Sequence, residues 1–173
     1  MDNIWLRHKK KIEIVLVVFI LLTTGILITR NDEYYEKYEL ADGWDVFKDI
    51  VYTTDVNLLE KNISVDIKDE PVYIVTTIEQ EIDNPMLVIK GYNVLIEVKV
   101  DGISVYNYGE ERYSKNKSVG GSFHYVNLPE DYVGKRVSIR FVATETDAMA
   151  KISPVLLVNS SEYIKGYLRE NLL

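Results

Sequence analysis

The sequence predicts a mainly β protein: a single β-sandwich preceded by one transmembrane helix and followed by a C-terminal helix. Three observations predict it. Ile12–Thr29 (IEIVLVVFILLTTGILIT) carries no charged side chain from Ile14 to Ile28. From Ala41 onward, short apolar runs are split by turn residues, the pattern of antiparallel strands and not of βαβ units. From Ser160 the apolar spacing becomes helical.

The apolar run comes first. At about 1.5 Å per residue an 18-residue helix covers roughly 27 Å, close to the ~30 Å of a hydrocarbon core. It shows no polar stripe such as a buried soluble helix would carry. Arg7, Lys9, Lys10 and Lys11 precede it, with Trp5 placed for the interface, while Arg30 is answered by Asp32, Glu33 and Glu36. Basic flanks stay inside, so the N-terminus is expected in the cytoplasm and the bulk of the chain outside a single-pass cell-membrane anchor. A cleaved signal peptide is the competing reading. It lacks a small-x-small site, the nearest alanine beyond the span being Ala41. The chain thus divides into a cytoplasmic N-terminus (1–11), the transmembrane helix (12–29), a juxtamembrane stalk (30–40), an extracytoplasmic sandwich (41–159) and a C-terminal helix leading towards the membrane (160–173).

Within the stalk, Tyr34, Tyr35 and Tyr38 fall at helical spacing. Strands then follow one another. Asp42-Gly43 is a turn before Trp44–Phe47; Ile63, Val65 and Ile67 alternate with Ser64 and Asp66; Val72–Ile78 is β-branched and aromatic; Met86–Ile89 follows Asn84-Pro85. Val94–Tyr108 is a hairpin about Asp101-Gly102, a type I′ signal. Its expected register pairs Val100 with Ile103 and Val98 with Val105, leaving Tyr106 and Tyr108 on the face of Glu97 and Leu95. Gly109–Ser122 reads as a long loop. Phe123–Leu128, Arg136–Thr144 and Pro154–Val158 are further strands, and Thr144–Lys151 is a polar loop. Ser160 is the expected N-cap of the closing helix. Tyr163, Ile164, Tyr167, Leu168 and Leu172 share one side of that helix, opposite Lys165, Arg169 and Glu170. No Gly or Pro stop signal precedes Leu173, as expected of a helix that continues.

Composition narrows the chemistry. Of 20 Lys and Arg, four lie in residues 1–29, as do two of the 27 Asp and Glu; the rest of the chain carries 16 basic and 25 acidic residues, a net −9. Nucleic acid and anionic headgroups are repelled by such a surface. There is no cysteine, which excludes disulfides, thiol chemistry and a lipidated cysteine anchor. His8 lies on the cytoplasmic flank, so His124 is the one exterior histidine. No nucleophile elbow, zinc-protease motif or phosphate loop is present. Glu110-Glu111 and Glu145/Asp147 read as solvated loop carboxylates. Asp45, Asp55 and Asp147 have the oxygen chemistry of a calcium site but no calcium-loop spacing. No cofactor, metal or catalytic residue is expected. Asn62-Ile63-Ser64, Asn116-Lys117-Ser118 and Asn159-Ser160-Ser161 match the glycosylation pattern.

What remains is a face with binding chemistry: Trp44, Arg112, Tyr113, His124 and Tyr125. Aromatic plates with a cation suit a sugar or a carboxylated small molecule. Four of them also have a plainer reading: a core tryptophan for Trp44, loop surface for Arg112 and Tyr113, and a strand histidine bonded to a neighbour for His124.

Four stretches carry a resemblance. They are Ala41-Asp42-Gly43-Trp44; Val98-Lys99-Val100-Asp101-Gly102 with Tyr106-x-Tyr108-Gly109; Leu128-Pro129-Glu130-Asp131-Tyr132-x-Gly134-Lys135; and Leu168-Arg169-Glu170-Asn171. Together they resemble the extracytoplasmic sensor region of clostridial membrane-bound diguanylate cyclases and sensor kinases, a galactose-binding-like jelly roll. The resemblance covers roughly residues 41–173 and implies a membrane-anchored domain that senses a small-molecule or carbohydrate ligand and relays it through the terminal helix, with the output domain absent here. It leaves a homodimer open. A carbohydrate-binding or cell-surface adhesion module without signalling is the alternative. A glycoside hydrolase fragment is the third reading and needs two carboxylates about 5 or 6.5–9.5 Å apart in a cleft.

Overall fold

A computed structural model describes residues 15–17, 19 and 36–172, with side chains up to 168. The chain divides into two units, Met1–Tyr34 and Tyr35–Leu173. Residues 15–17 and 19 are helical; otherwise the expected cytoplasmic segment, membrane helix and start of the stalk lie outside the described residues. Among the described residues no helix is long and apolar enough to cross a membrane.

In the second unit, alternating burial is clearest in the central strands, where every other side chain of Val94–Val100 is buried. Its elements are β1 (Lys37–Leu40), β2 (Trp44–Lys48), β3 (Val51–Val56), β4 (Pro71–Thr77), β5 (Pro85–Tyr92), β6 (Val94–Val100), β7 (Ile103–Tyr108), α1 (Glu110–Ser114), β8 (Gly121–Asn127), β9 (Arg136–Ala143), β10 (Val155–Asn159) and α2 (Ser160–Leu172). Two antiparallel sheets face each other, one ordered β1-β10-β5-β8 and the other β3-β2-β4-β9-β6-β7. Val94, Ile96, Val98 and Val100 point inward from β6, and Val137, Ile139 and Phe141 from β9, all buried. Leu87, Ile89, Val126, Val155 and Leu157 meet them from the opposite sheet. The expected sandwich with a C-terminal helix is what the chain builds.

Several elements depart from expectation. Lys37–Leu40 is a strand, not part of a helical stalk: it pairs with β10 from Lys37↔Val158 to Leu40↔Val155 and satisfies that strand's outer edge. Val51–Val56, which has no clean alternation, forms edge strand β3. Ile63–Ile67 is not a strand but carries the isolated bridge Val65↔Met149. Its backbone is engaged with the loop before β10 (Ile152 N–H to Ile63 O, 2.8 Å), and Lys48 Nζ clamps it through Ser64 O at 3.0 Å and Asp66 Oδ1 at 2.6 Å. The expected loop 109–122 contains α1. Asn159, not Ser160, caps α2, its Oδ1 accepting from the N–H groups of Ser161 (3.0 Å) and Glu162 (3.2 Å).

The hairpin turn is as expected, with φ of 47° at Asp101 and 80° at Gly102, both positive as a type I′ turn requires. The register is not. Val100↔Ile103 and Lys99↔Ser104 hold, but a bulge follows, and Val98 faces Tyr106, Glu97 faces Asn107 and Ile96 faces Tyr108. Val105 is the extra residue. The bulge turns Tyr106 and Tyr108 to the inner side, where they pack half-buried on the core. There the Tyr108 hydroxyl donates to Val119 O at 3.0 Å.

Tyr132, in the expected turn before β9, pins the loop after β4. Its ring is buried, and its hydroxyl donates to Gln80 O at 2.7 Å and accepts from the Ile82 N–H at 2.8 Å. Tyr132→Phe strands a buried donor and a carbonyl while keeping the packing. It is expected to lower stability by about 1–3 kcal/mol, read as a lower urea midpoint with an unchanged slope.

Candidate functional site

The outer face of the six-stranded sheet collects the side chains that the core rejects. One row crosses it through matched registers: Tyr52 on β3, Phe47 on β2, Tyr73 on β4, Arg140 on β9, Glu97 on β6 and Asn107 on β7. Phe47 and Tyr52 stack, ring centroids 4.3 Å apart at 24°. Tyr73 flanks Phe47 from the next strand and is 37% exposed. The Tyr52 hydroxyl donates to Asp45 Oδ2 at 3.0 Å, and this bond to a carboxylate, more than burial, raises the pKa of the phenol.

Two hollows open beside this row. One, of about 520 Å³, is lined by Phe47, Asp49, Glu70, Pro71, Tyr73 and Val75. The other, of about 490 Å³, is lined by Asp42, Asp45, Asp55, Thr77 and Arg136 among others, and again by Val75. Ring faces on one side and carboxylates on the other suit a ligand with apolar C–H faces and polar edges. Among the described residues no three His, Asp or Glu come together to hold a metal ion.

The five residues predicted from the sequence do not share a face. Trp44 is fully buried, its indole N–H donating to Leu40 O at 2.9 Å, and offers no surface to a ligand. Arg112 and Tyr113 lie on α1; Arg112 Nε donates to Ser118 O at 3.0 Å, and the Tyr113 hydroxyl donates to Asp69. His124 and Tyr125 are consecutive in β8 and so point to opposite sides. His124 faces inward, while Tyr125 faces out and meets Tyr163 of α2 at 6.0 Å. Sequence reasoning missed Phe47, Tyr52, Tyr73, Asp49 and Glu70. A signal existed for Phe47 and Tyr73: each falls on the off-phase of a strand whose other phase is apolar.

No protein-family model matches the chain, and no curated protein matches its sequence. Among solved structures it is similar to an FMN-binding β-glucuronidase from Facaelibacterium prausnitzii L2-6 (12% identity, TM-score 0.46), over 71% of this chain and 22% of that one. A family 35 carbohydrate binding module from Clostridium thermocellum aligns over 70% of this chain and 95% of its own (14% identity, TM-score 0.31). The CBM36-1 domain of a multidomain xylanase from the hindgut metagenome of Trinervitermes trinervoides aligns over 72% and 90% (10% identity, TM-score 0.32). The chain thus spans about a fifth of the length of the glucuronidase. Likenesses this distant assign no ligand or activity.

His124 belongs to a separate polar cluster where β7 and β8, the last strands of their sheets, come together. Tyr106 Oη lies 3.0 Å from His124 Nδ1, Ser122 Oγ lies 3.1 Å from Nε2, and the Tyr108 ring sits edge-on at 4.4 Å. Burial disfavours the charged imidazolium and lowers the His124 pKa. The unfolded chain therefore takes up the proton first. The stabilisation is fully present above the unfolded value near 6.5 and is lost as pH falls from there through the depressed folded value. The melting temperature is expected to fall between pH 7.5 and pH 5, and His124→Gln is expected to flatten that portion of the profile.

Proposed function

We propose that the sandwich is a carbohydrate-binding module of the galactose-binding-like jelly-roll kind, taking its ligand on the outer face of the six-stranded sheet. The observation that carries this reading is the row Tyr52–Phe47–Tyr73, with two carboxylate-lined hollows sharing Val75 beside it. Sugar rings present C–H faces that stack on aromatic rings and hydroxyl edges that donate to carboxylates. The carbohydrate-binding modules named above agree with the reading without carrying it. The module works by binding and not by catalysis, and residues 12–29 hold it outside the cell membrane.

A signalling role is the second reading, favoured by where the sandwich is entered and left. β1 and β10 are hydrogen-bonded neighbours, with Lys37 opposite Val158, and α2 starts directly at Ser160. A change at this edge would reach both flanking segments together. That relay requires a ligand with different affinities for two arrangements of the edge.

The full chain in detergent is expected to be retained by an immobilised polysaccharide in affinity electrophoresis. Phe47→Ala and Tyr73→Ala should each weaken retention about tenfold, the scale of one lost stacking contact, with little change in melting temperature. Retention that ignores both substitutions removes this face as the site. Ligand-dependent protection of amide exchange in both β1 and α2 would favour signalling; protection confined to β2 and β4 favours the simple module.

A further inference from the structure

The charge around the hollows specifies the kind of glycan. In the first, Asp49 and Glu70 stand beside Phe47 and Tyr73 with no cation in the lining. Their carboxylates make no hydrogen bond or ion pair with the described residues, so both oxygens of each are open to a ligand. In the second, Asp42, Asp45 and Asp55 face the single guanidinium of Arg136. Asp42 accepts from Asn57 Nδ2 at 2.5 Å and Asp45 from the Tyr52 hydroxyl, uses that leave each carboxyl group further lone pairs with which to accept. The linings of the two hollows together set five carboxylates against one cation, with Arg140 one strand beyond Tyr73, and so repel uronic acids, sulfated sugars and phosphorylated polymers. A neutral sugar would gain hydroxyl-to-carboxylate bonds, assisted by the acceptor's charge alone. An ammonium group makes its hydrogen bonds with both partners charged and adds direct Coulomb attraction to the carboxylate.

We infer that this face binds a glycan bearing free amino groups, a β-linked glucosamine polymer being the chemical type, with the sugar rings on Phe47 and Tyr73 and the ammonium groups towards Asp49 and Glu70. The inference rests on the glycan-binding reading of the same face. The rings supply the stacking that any hexose would use. The unpaired carboxylates supply discrimination, because acetylation of the amine removes its charge and leaves an amide in its place.

The test uses the full chain in detergent at pH 6 and isothermal titration with three oligomers of equal length: glucosamine, N-acetylglucosamine and glucose. The expected result is at least tenfold tighter binding of the glucosamine oligomer, weakening as sodium chloride is raised from 50 to 500 mM, as screening of exposed charges demands. Asp49→Asn with Glu70→Gln should bring the three affinities together while leaving the far-UV circular dichroism unchanged. Equal or tighter binding of the acetylated or glucose oligomer, lost in Tyr73→Ala, would overturn the amino-glycan inference and leave the glycan-binding face standing. A preference that survives the Asp49/Glu70 double substitution, or that an oligolysine of the same charge reproduces, would also overturn it. Failure of every oligomer to bind would remove the glycan-binding reading together with the inference.

Discussion

The register that runs unbroken through β2, β4, β9 and β6 is the constraint on which the rest of the structure depends. Val46 faces Ile74, Ile74 faces Ile139 and Ile139 faces Val98, all on the inner side and all buried. Each such side chain contributes roughly 1.5–3 kcal/mol by leaving water. One residue further along each strand, the outer row Phe47–Tyr73–Arg140–Glu97 is placed by the same pairing. A slip by one residue would bury the charges and expose the valines and isoleucines. The rings on the outer face need no packing layer of their own to hold position. They inherit it from the core.

Outside those four strands the pairing shifts twice, between Trp44 and Val46 where β2 meets β3 and at Val105 where β6 meets β7, and the second shift explains the inner polar cluster. β6 keeps its valine row inward, so after the bulge β7 must present tyrosines to the same side. At the edge formed by β7 and β8 those hydroxyls would lack partners in a purely apolar interior, which is costly. His124 and Val119 O provide them at 3.0 Å each. Room for the imidazole comes from β5: a Cβ on Gly91 would lie 2.9 Å from His124 Nε2 and 2.7 Å from Ile96 Cδ1. Bulge, glycine and histidine form one arrangement, in which a closed edge is obtained with satisfied polar groups and not with another apolar layer.

Much of the fold was legible because alternation is a local property. β4, β6, β8 and β9 each show it, and Asp101-Gly102 announces its turn within two residues. β1 and β3 lacked it for a physical reason: an edge strand is specified by the partner whose hydrogen bonds it completes, and that partner is distant in the chain. Lys37 meets Val158 across more than a hundred residues. The bulge was equally hidden, since nothing in Ser104-Val105-Tyr106 marks which residue is extra. Among the site residues the error was one of parity. Trp44 and Phe47 are on opposite phases of β2, and an aromatic on the phase of Val46 belongs to the core. His124 with Tyr125 had the same fault, for neighbours on a strand cannot face one ligand.

Direction follows from the same geometry. Tyr52, Phe47 and Tyr73 lie across the strands, two inter-strand steps apart at about 4.8 Å each, so the aromatic row is roughly 10 Å long. The two hollows instead follow β4, where the outward positions Tyr73, Val75 and Thr77 recur about every 6.8 Å. Val75 lines both, and its burial leaves a low saddle between them. A chain of sugar rings laid along β4 would have stacking surface and open carboxylates at the Phe47–Tyr73 end, and Thr77, Asp45 and Arg136 at the other. One laid across the strands would leave the second hollow and meet Arg140, a cation, beyond Tyr73. For the positively charged ligand proposed above, the path along β4 meets Arg136 only together with Asp42, Asp45 and Asp55, whereas the path across the strands meets Arg140 directly beyond Tyr73, so a ligand of that kind would run along β4.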